Sequence, residues 1–321
     1  MKIASHYFGQ HHEVLKHYAQ QMGLDSVVCT VPFASAQPDY VNPWDKVALR
    51  AQQQAMESYG LKVEVLEGIK FLDGAKLGRP DRDACIERFC QMLENMAVLG
   101  IDTVCYNWMP VFDWFRTRHA LPERGGALVT GFREADMCPT DRTAAGEVSA
   151  DELWNNLKYF MEAVVPVAET CKIKLALHPD DPPVPALAGV SRILTSPDAM
   201  MRAIDLVPSP YNGITMCQGT FATMGADVPK EIERFGDRIF FAHFRDVRGT
   251  SDNFTECFPD NGKTDMCEAI AAYKKIGFDG PMRIDHMPTL YGESNANPGY
   301  ATLGWLYAVG YLRGLMEMIE R

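Results

Sequence analysis

The sequence predicts a single (β/α)8 TIM barrel across residues 1–321. Eight short apolar runs recur, at roughly 2–6, 26–32, 62–67, 102–107, 173–178, 213–217, 239–244 and 282–286. Stretches with the 3.6-residue spacing of amphipathic helices lie between them. No Gly-x-Gly-x-x-Gly follows an early run, which weakens the competing open, doubly wound sheet.

Each element has a local reason. The early runs are Lys-Ile-Ala-Ser-His, Ser-Val-Val-Cys-Thr-Val, Lys-Val-Glu-Val-Leu-Glu and Asp-Thr-Val-Cys-Tyr-Asn. Most are rich in β-branched residues, as strands covered on both faces should be. From Asp83 to Leu99, apolar residues repeat at Cys85, Ile86, Phe89, Met92, Leu93 and Met96, one face of a helix. Residues 111–148, with Pro, Gly and charges, form the longest interruption. This loop follows the fourth strand, so it is expected over the active-site mouth as a lid or wall. Ser149 and Asp151 stand at the start of the next helix, which spaces Leu153, Leu157, Phe160, Met161, Val164 and Val165 along one face. Four more strand runs follow, and an apolar helix from about Tyr300 to Ile319 ends the series. No repeat, low-complexity tract or linker divides the chain.

Composition narrows the function. Hydrophobic residues make up 47%, enough for a sizeable core. The net charge of −11 argues against nucleic acid or an anionic membrane as partner. No segment reaches the ~20 apolar residues of a membrane span, and no signal peptide is evident at the start. Nine scattered cysteines do not form a disulfide framework and fit a reducing compartment. The expectation is a cytoplasmic protein acting on a small molecule. A homo-oligomer is compatible with the sequence.

The informative residues end four successive strand runs. They are His178, Cys217, His243 and Asp285. Strand ends of a parallel barrel are neighbours at one mouth, where catalytic groups gather. Two imidazoles, a thiolate and a carboxylate suit a divalent transition metal such as Fe(II), Zn(II), Co(II) or Mn(II). Singly, each has a plainer reading: a structural histidine, a core cysteine or a helix-capping aspartate. Four in a row favour the metal.

Other polar groups cluster nearby in sequence. His178 opens His-Pro-Asp-Asp-Pro-Pro, a stiff turn that fixes Asp180 and Asp181. Those two either orient a ligand, touch substrate or cap the turn. Asn107, Asp113 and Arg116 sit among aromatics after the fourth strand, a mixture suited to a polyhydroxylated acid. The alternative is an internal Asp113–Arg116 pair. Arg245 is a further candidate contact. His286, beside Asp285, and Tyr300, in Asn-Pro-Gly-Tyr, are acid–base candidates. His11 and His12 either reach the mouth or lie on the first helix.

Taken in order, Cys-Tyr-Asn-Trp-Met-Pro-Val-Phe-Asp-Trp-Phe-Arg-Thr, His-Pro-Asp-Asp-Pro-Pro, Met-Cys-Gln-Gly-Thr, His-Phe-Arg, Asp-His and Asn-Pro-Gly-Tyr resemble the mannonate dehydratases of hexuronate (glucuronate) catabolism. The resemblance runs from about residue 60 to the C-terminus. It implies a xylose-isomerase-like barrel, a Mn(II) or Fe(II) cofactor, and conversion of D-mannonate to 2-keto-3-deoxy-D-gluconate. It also implies that His178, Cys217, His243 and Asp285 are the metal ligands and that His286 and Tyr300 are the acid–base pair. Departures are visible too. The segment after the fourth strand is short, Thr30–Phe33 stands where the family has a His-His pair, and histidines are absent from Phe254–Gly262.

The expected chemistry is therefore a hydro-lyase reaction on a sugar acid. One of His286 and Tyr300 removes the proton alpha to the carboxylate, and the other protonates the departing hydroxyl. Which does which is open. The missing histidines leave a sugar isomerase or epimerase as an alternative on the same site, and a non-catalytic sugar-acid-binding protein as a second.

Overall fold

The structure, a computed structural model, describes residues 1–9, 13–31, 42, 44–138 and 140–320. Eight parallel strands close into a barrel. They are β1 (Lys2–Tyr7), β2 (Ser26–Thr30), β3 (Lys62–Glu67), β4 (Thr103–Asn107), β5 (Lys174–His178), β6 (Asn212–Cys217), β7 (Ile239–Phe244) and β8 (Pro281–Ile284). Each pairs with its sequence neighbours, and β8 closes on β1 through Lys2↔Pro281, Ile3↔Met282 and Ala4↔Arg283. The expected strands are all present, within a residue or two at each end. The second was expected to reach Pro32, which lies outside the described residues, as do His11 and His12.

Helices return the chain between strands: α1 (Glu13–Gln21), α2 (Lys46–Glu57), α3 (Asp73–Lys76), α4 (Arg82–Leu99), α5 (Ala150–Cys171), α6 (Pro197–Ile204), α7 (Gln218–Thr223), α8 (Val228–Phe235), α9 (Met266–Lys275) and α10 (Thr302–Glu320). Helix α5 starts at a reciprocal cap. Ser149 Oγ accepts from Glu152 N at 3.2 Å, and Glu152 Oε2 accepts from Ser149 N at 2.8 Å. The faces anticipated on α4 and α5 are buried, with Phe89, Met92, Leu157 and Phe160 at 0% exposure against the barrel. Inside it, Ala4, Val28, Val65, Cys105, Ala176 and Phe241 form a second cluster. A barrel this filled is a packed core, not a channel, so any site must sit at an end. Among the described residues, no helix is long and apolar enough to cross a membrane.

The segments after β4 and β7 are not plain loops. Strands Arg118–Pro122 and Leu128–Arg133 follow β4, and Val247–Thr250 and Asn253–Glu256 follow β7. They form one four-stranded antiparallel sheet, joined by Asn253↔Arg133, Phe254↔Phe132 and Thr255↔Gly131. Gly131 permits this approach, since a Cβ there would lie 2.8 Å from the Phe254 carbonyl oxygen. Two excursions from the same end of the barrel are thus locked together, which fixes residues far apart in sequence.

Candidate active site

A cavity of about 420 Å³ opens at the C-terminal end of the strands. It is lined by the strand-end residues Glu67, Asn107, His178 and His243, by Asp285 and His286 just past β8, and by Tyr300, Trp114 and Phe8.

The donor groups meet on its floor. One donor atom each from His178, Cys217 and His243 lies within 4.8 Å of the others. Asp285 Oδ2 joins them, 3.5 Å from His243 Nδ1. The tautomer of His178 is forced. Its Nδ1 lies 2.7 Å from the Pro179 carbonyl oxygen, which can only accept, so Nδ1 carries the proton. Nε2 then offers a lone pair toward His243 Nδ1, 3.3 Å away. Cys217 Sγ accepts from Thr220 Oγ1 at 3.1 Å and from Arg245 Nη1 at 3.4 Å. Burial pushes the Asp285 carboxyl up, but Arg283 foremost, then His286 and His243, outweigh it and hold it well below the usual carboxylate range. Two nitrogens and a sulfur drawn together, with an ionised oxygen beside one of the nitrogens, are a donor set a divalent cation fits.

His286 has φ of +50°, a left-handed conformation uncommon outside glycine. The turn directs its ring into the cavity wall, 5.0 Å from the Trp114 ring and 5.4 Å from that of Tyr300. Gly299 makes room for it. A Cβ at Gly299 would stand 3.0 Å from His286 Nδ1. Burial pushes the His286 imidazole down to about 4, against the opposing pull of Asp285 and Glu256. The Tyr300 hydroxyl donates to Asp285 Oδ1 at 3.3 Å, and burial, reinforced by Asp285, keeps it protonated well above its ordinary range.

The expected substrate contacts divide. Asn107 and Asp113 line the cavity, joined by Asn107 Nδ2 donating to Asp113 Oδ1 at 2.6 Å. The buried Lys76 holds Asn107 from behind, Nζ to Oδ1 at 2.9 Å. Asp113 pairs not with Arg116 but with Lys70, a cavity residue the sequence reading missed. Asp181 also lines the cavity. Arg116, Arg245 and Asp180 are not among its lining residues. Arg116 grips Asp181 with two bonds of 2.8 Å and Glu256 through Nη2 at 2.8 Å. Arg245 binds the same two carboxylates at 2.7–2.9 Å. Both guanidinium groups are fully buried and lie outside the cavity lining, where they brace the wall behind His286, with Arg116 Nη2 3.5 Å from His286 Nε2. Asp180 does not cap the following turn: Oδ2 accepts the distant Leu194 N–H at 2.8 Å, Arg192 Nη1 stands 3.7 Å from Oδ1, and burial pushes its carboxyl up.

Glu67 was also missed. It ends β3, and Arg283 holds both its oxygens, Nε to Oε2 at 2.8 Å and Nη2 to Oε1 at 2.9 Å. Burial pushes its carboxyl up, but Arg283 and then His243 outweigh this and keep it ionised. The signal was present: Glu67 closes the third apolar run just as His178 closes the fifth.

Comparison with known proteins places this geometry. The family model D-mannonate dehydratase (UxuA) matches residues 1–145 and 140–321. The chain belongs to the mannonate dehydratase family. Mannonate dehydratase 2 of Halalkalibacterium halodurans is 33% identical, with 100% of both chains covered. The mannonate dehydratase of Streptococcus agalactiae is 34% identical over 86% of this chain and 87% of its own. The crystal structure of mannonate dehydratase from Streptococcus suis serotype 2 superposes with a TM-score of 0.91 at 30% identity, covering 99% of this chain and 94% of that one. A D-tagatose 3-epimerase-like protein, at TM-score 0.65 and 15% identity, shares the fold. The family match reaches the N-terminus, further than the motif resemblance from residue 60 extended.

Proposed function

We propose that this member of the mannonate dehydratase family is a cytoplasmic hydro-lyase, acting in glucuronate catabolism, that converts D-mannonate to 2-keto-3-deoxy-D-gluconate with Mn(II) or Fe(II). The observation that carries the reading is the approach of His178, Cys217 and His243 to one another, with Asp285 beside His243, at a cavity lined also by His286 and Tyr300. We take residues 1–321 as one domain, with 111–148 walling the mouth.

A divalent ion held by those four side chains would supply the positive charge that stabilises an acid carbanion. The protein's own groups do the rest. His286, neutral at pH 7, suits acceptance of the C2 proton. The electron pair left behind forms the C2–C3 double bond as the C3–O bond breaks. Tyr300, protonated at rest, suits donation to the departing hydroxyl, which leaves as water. The enol then shifts its proton to C3, giving the 2-keto-3-deoxy acid. Asn107, Asp113, Lys70 and Asp181 line the cavity where a polyhydroxylated chain would lie. Trp114 and Phe8 supply apolar surface beside them.

The test is anaerobic loading with Mn(II) or Fe(II), addition of D-mannonate, and assay of the keto acid. Turnover that disappears in Cys217→Ser supports the reading. Stoichiometric metal without turnover on mannonate, but with interconversion of ketoses, would replace it by isomerase chemistry. The acid–base assignment is separable. Tyr300→Phe should still exchange the C2 proton with deuterated solvent, and His286→Ala should not.

A further inference from the structure

His243 has charged neighbours at both ring nitrogens. Nδ1 faces His178 Nε2 at 3.3 Å and Asp285 Oδ2 at 3.5 Å. On the opposite edge, Glu67 Oε1 lies 3.2 Å from Nε2, in contact but not lined up as a hydrogen bond. An imidazole carries its single proton on one nitrogen, and only the other can bind a cation. A carboxylate on one edge therefore decides which edge coordinates.

We propose that Glu67 is a positioning residue of the metal centre, fixing the His243 proton on Nε2 so that Nδ1 points its lone pair at the ion. Resting on the metal reading above, this turns two nitrogens 3.3 Å apart, which share one N–H when His243 carries its proton on Nδ1, into two lone pairs for one ion. His178 Nε2 is a lone pair by its bond to Pro179, and Glu67 makes His243 Nδ1 a second. A small swing of the His243 ring would bring Nε2–H into line with Oε1. Arg283 couples the two sides. Its Nη2 and Nε hold Glu67, while its Nη1 holds Asp285 Oδ1 at 2.8 Å. One guanidinium thus sets both the carboxylate that ligates and the one that orients.

A rival role for Glu67 is direct ligation. Glu67, Cys105 and His243 also bring donor atoms within 4.8 Å of one another. Two observations disfavour a cation there. Arg283 already bonds both Glu67 oxygens, whereas it takes only Oδ1 of Asp285 and leaves Oδ2 on the His243 side. Burial and the Glu67 charge also push the Cys105 thiol well above its ordinary range, away from the thiolate a metal needs.

The experiment is metal affinity, measured by chelator competition on the metal-stripped full chain with Mn(II). Glu67→Ala should lose about 10- to 100-fold in affinity, the range for outer partners of ligating histidines. Glu67→Gln keeps an acceptor oxygen and should retain more. A merely structural role would lower the melting temperature of the metal-free chain and spare the affinity. Unchanged affinity in Glu67→Ala overturns the proposal. So does a wild type that holds two ions, one of them lost in Cys105→Ser, because Glu67 would then be a ligand itself. If Glu67→Ala fails to fold, Glu67→Met decides, since it fills the space with no acceptor at Nε2: affinity equal to wild type again overturns the proposal. A wild type that binds no ion removes the metal reading and this proposal together, a result distinct from a Glu67 effect of zero.

Discussion

Removing the Glu256 carboxylate should destabilise this chain more than its place on a peripheral hairpin suggests. Glu256 accepts from Arg116 Nε at 3.2 Å and Nη2 at 2.8 Å, and from Arg245 Nε at 2.9 Å and Nη2 at 2.7 Å. With Asp181 the four groups carry two positive and two negative charges, at 0–2% side-chain exposure. Glu256→Ala leaves one guanidinium charge uncompensated in the interior. Breaking such a buried pair costs about 3–5 kcal/mol. With an unfolding entropy near ~2.1 cal/mol/K per residue, the melting temperature should fall by about 4–7 °C. The assay is calorimetry at one fixed scan rate on the metal-free protein. The same argument predicts partial recovery in the double variant Glu256→Leu with Arg116→Met. That pair of changes restores neutrality around Asp181 and Arg245 and fills the space with apolar atoms. A shift below about 1 °C in Glu256→Ala would show the quartet to be well solvated. A double variant as unstable as the sum of its singles would refute charge balance as the cause.

Acid should act through the same cluster. Burial raises the Asp181 carboxyl, but Arg116 and Arg245 outweigh it and hold it low, so its contribution is complete above the unfolded value of about 4 and is lost as pH falls below that. Stability against urea should drop from about pH 4 downward, and Asp181→Asn should flatten that limb. Gly299→Ala places a Cβ 3.0 Å from His286 Nδ1 at a φ of +85°. It should lower kcat sharply while chelator competition finds Mn(II) affinity unchanged; lost affinity would mean that the whole floor had moved. Ser149→Ala removes the reciprocal cap of α5 and should cost about 1 kcal/mol in chemical denaturation, with kcat unaffected.

Part of this molecule could be read from the chain alone. A parallel strand buried on both faces must be short, apolar and β-branched, so the eight strands announced themselves. The barrel puts every strand's C-terminal residue at one mouth, so His178, Cys217 and His243 were found with no knowledge of contacts. Asp285 and His286 needed only one more step past β8. Glu67 obeys the same strand-end rule, but in sequence a lone glutamate after an apolar run reads equally well as a solvated strand end.

Charge partnership was a different matter. Arg116 and Arg245 looked like substrate contacts because each stands beside catalytic motifs in sequence. Their fate depended on Glu256, 140 residues from Arg116. Glu256 arrives there because the hairpin after β7 pairs with the strand Leu128–Arg133 after β4. A guanidinium looks the same in sequence whether it meets a substrate carboxylate or a protein one. Local propensity and strand order determined the barrel and which donor groups gather at its mouth. Only long-range packing of two excursions decided which charges would neutralise each other in the wall and which would be left facing the cavity.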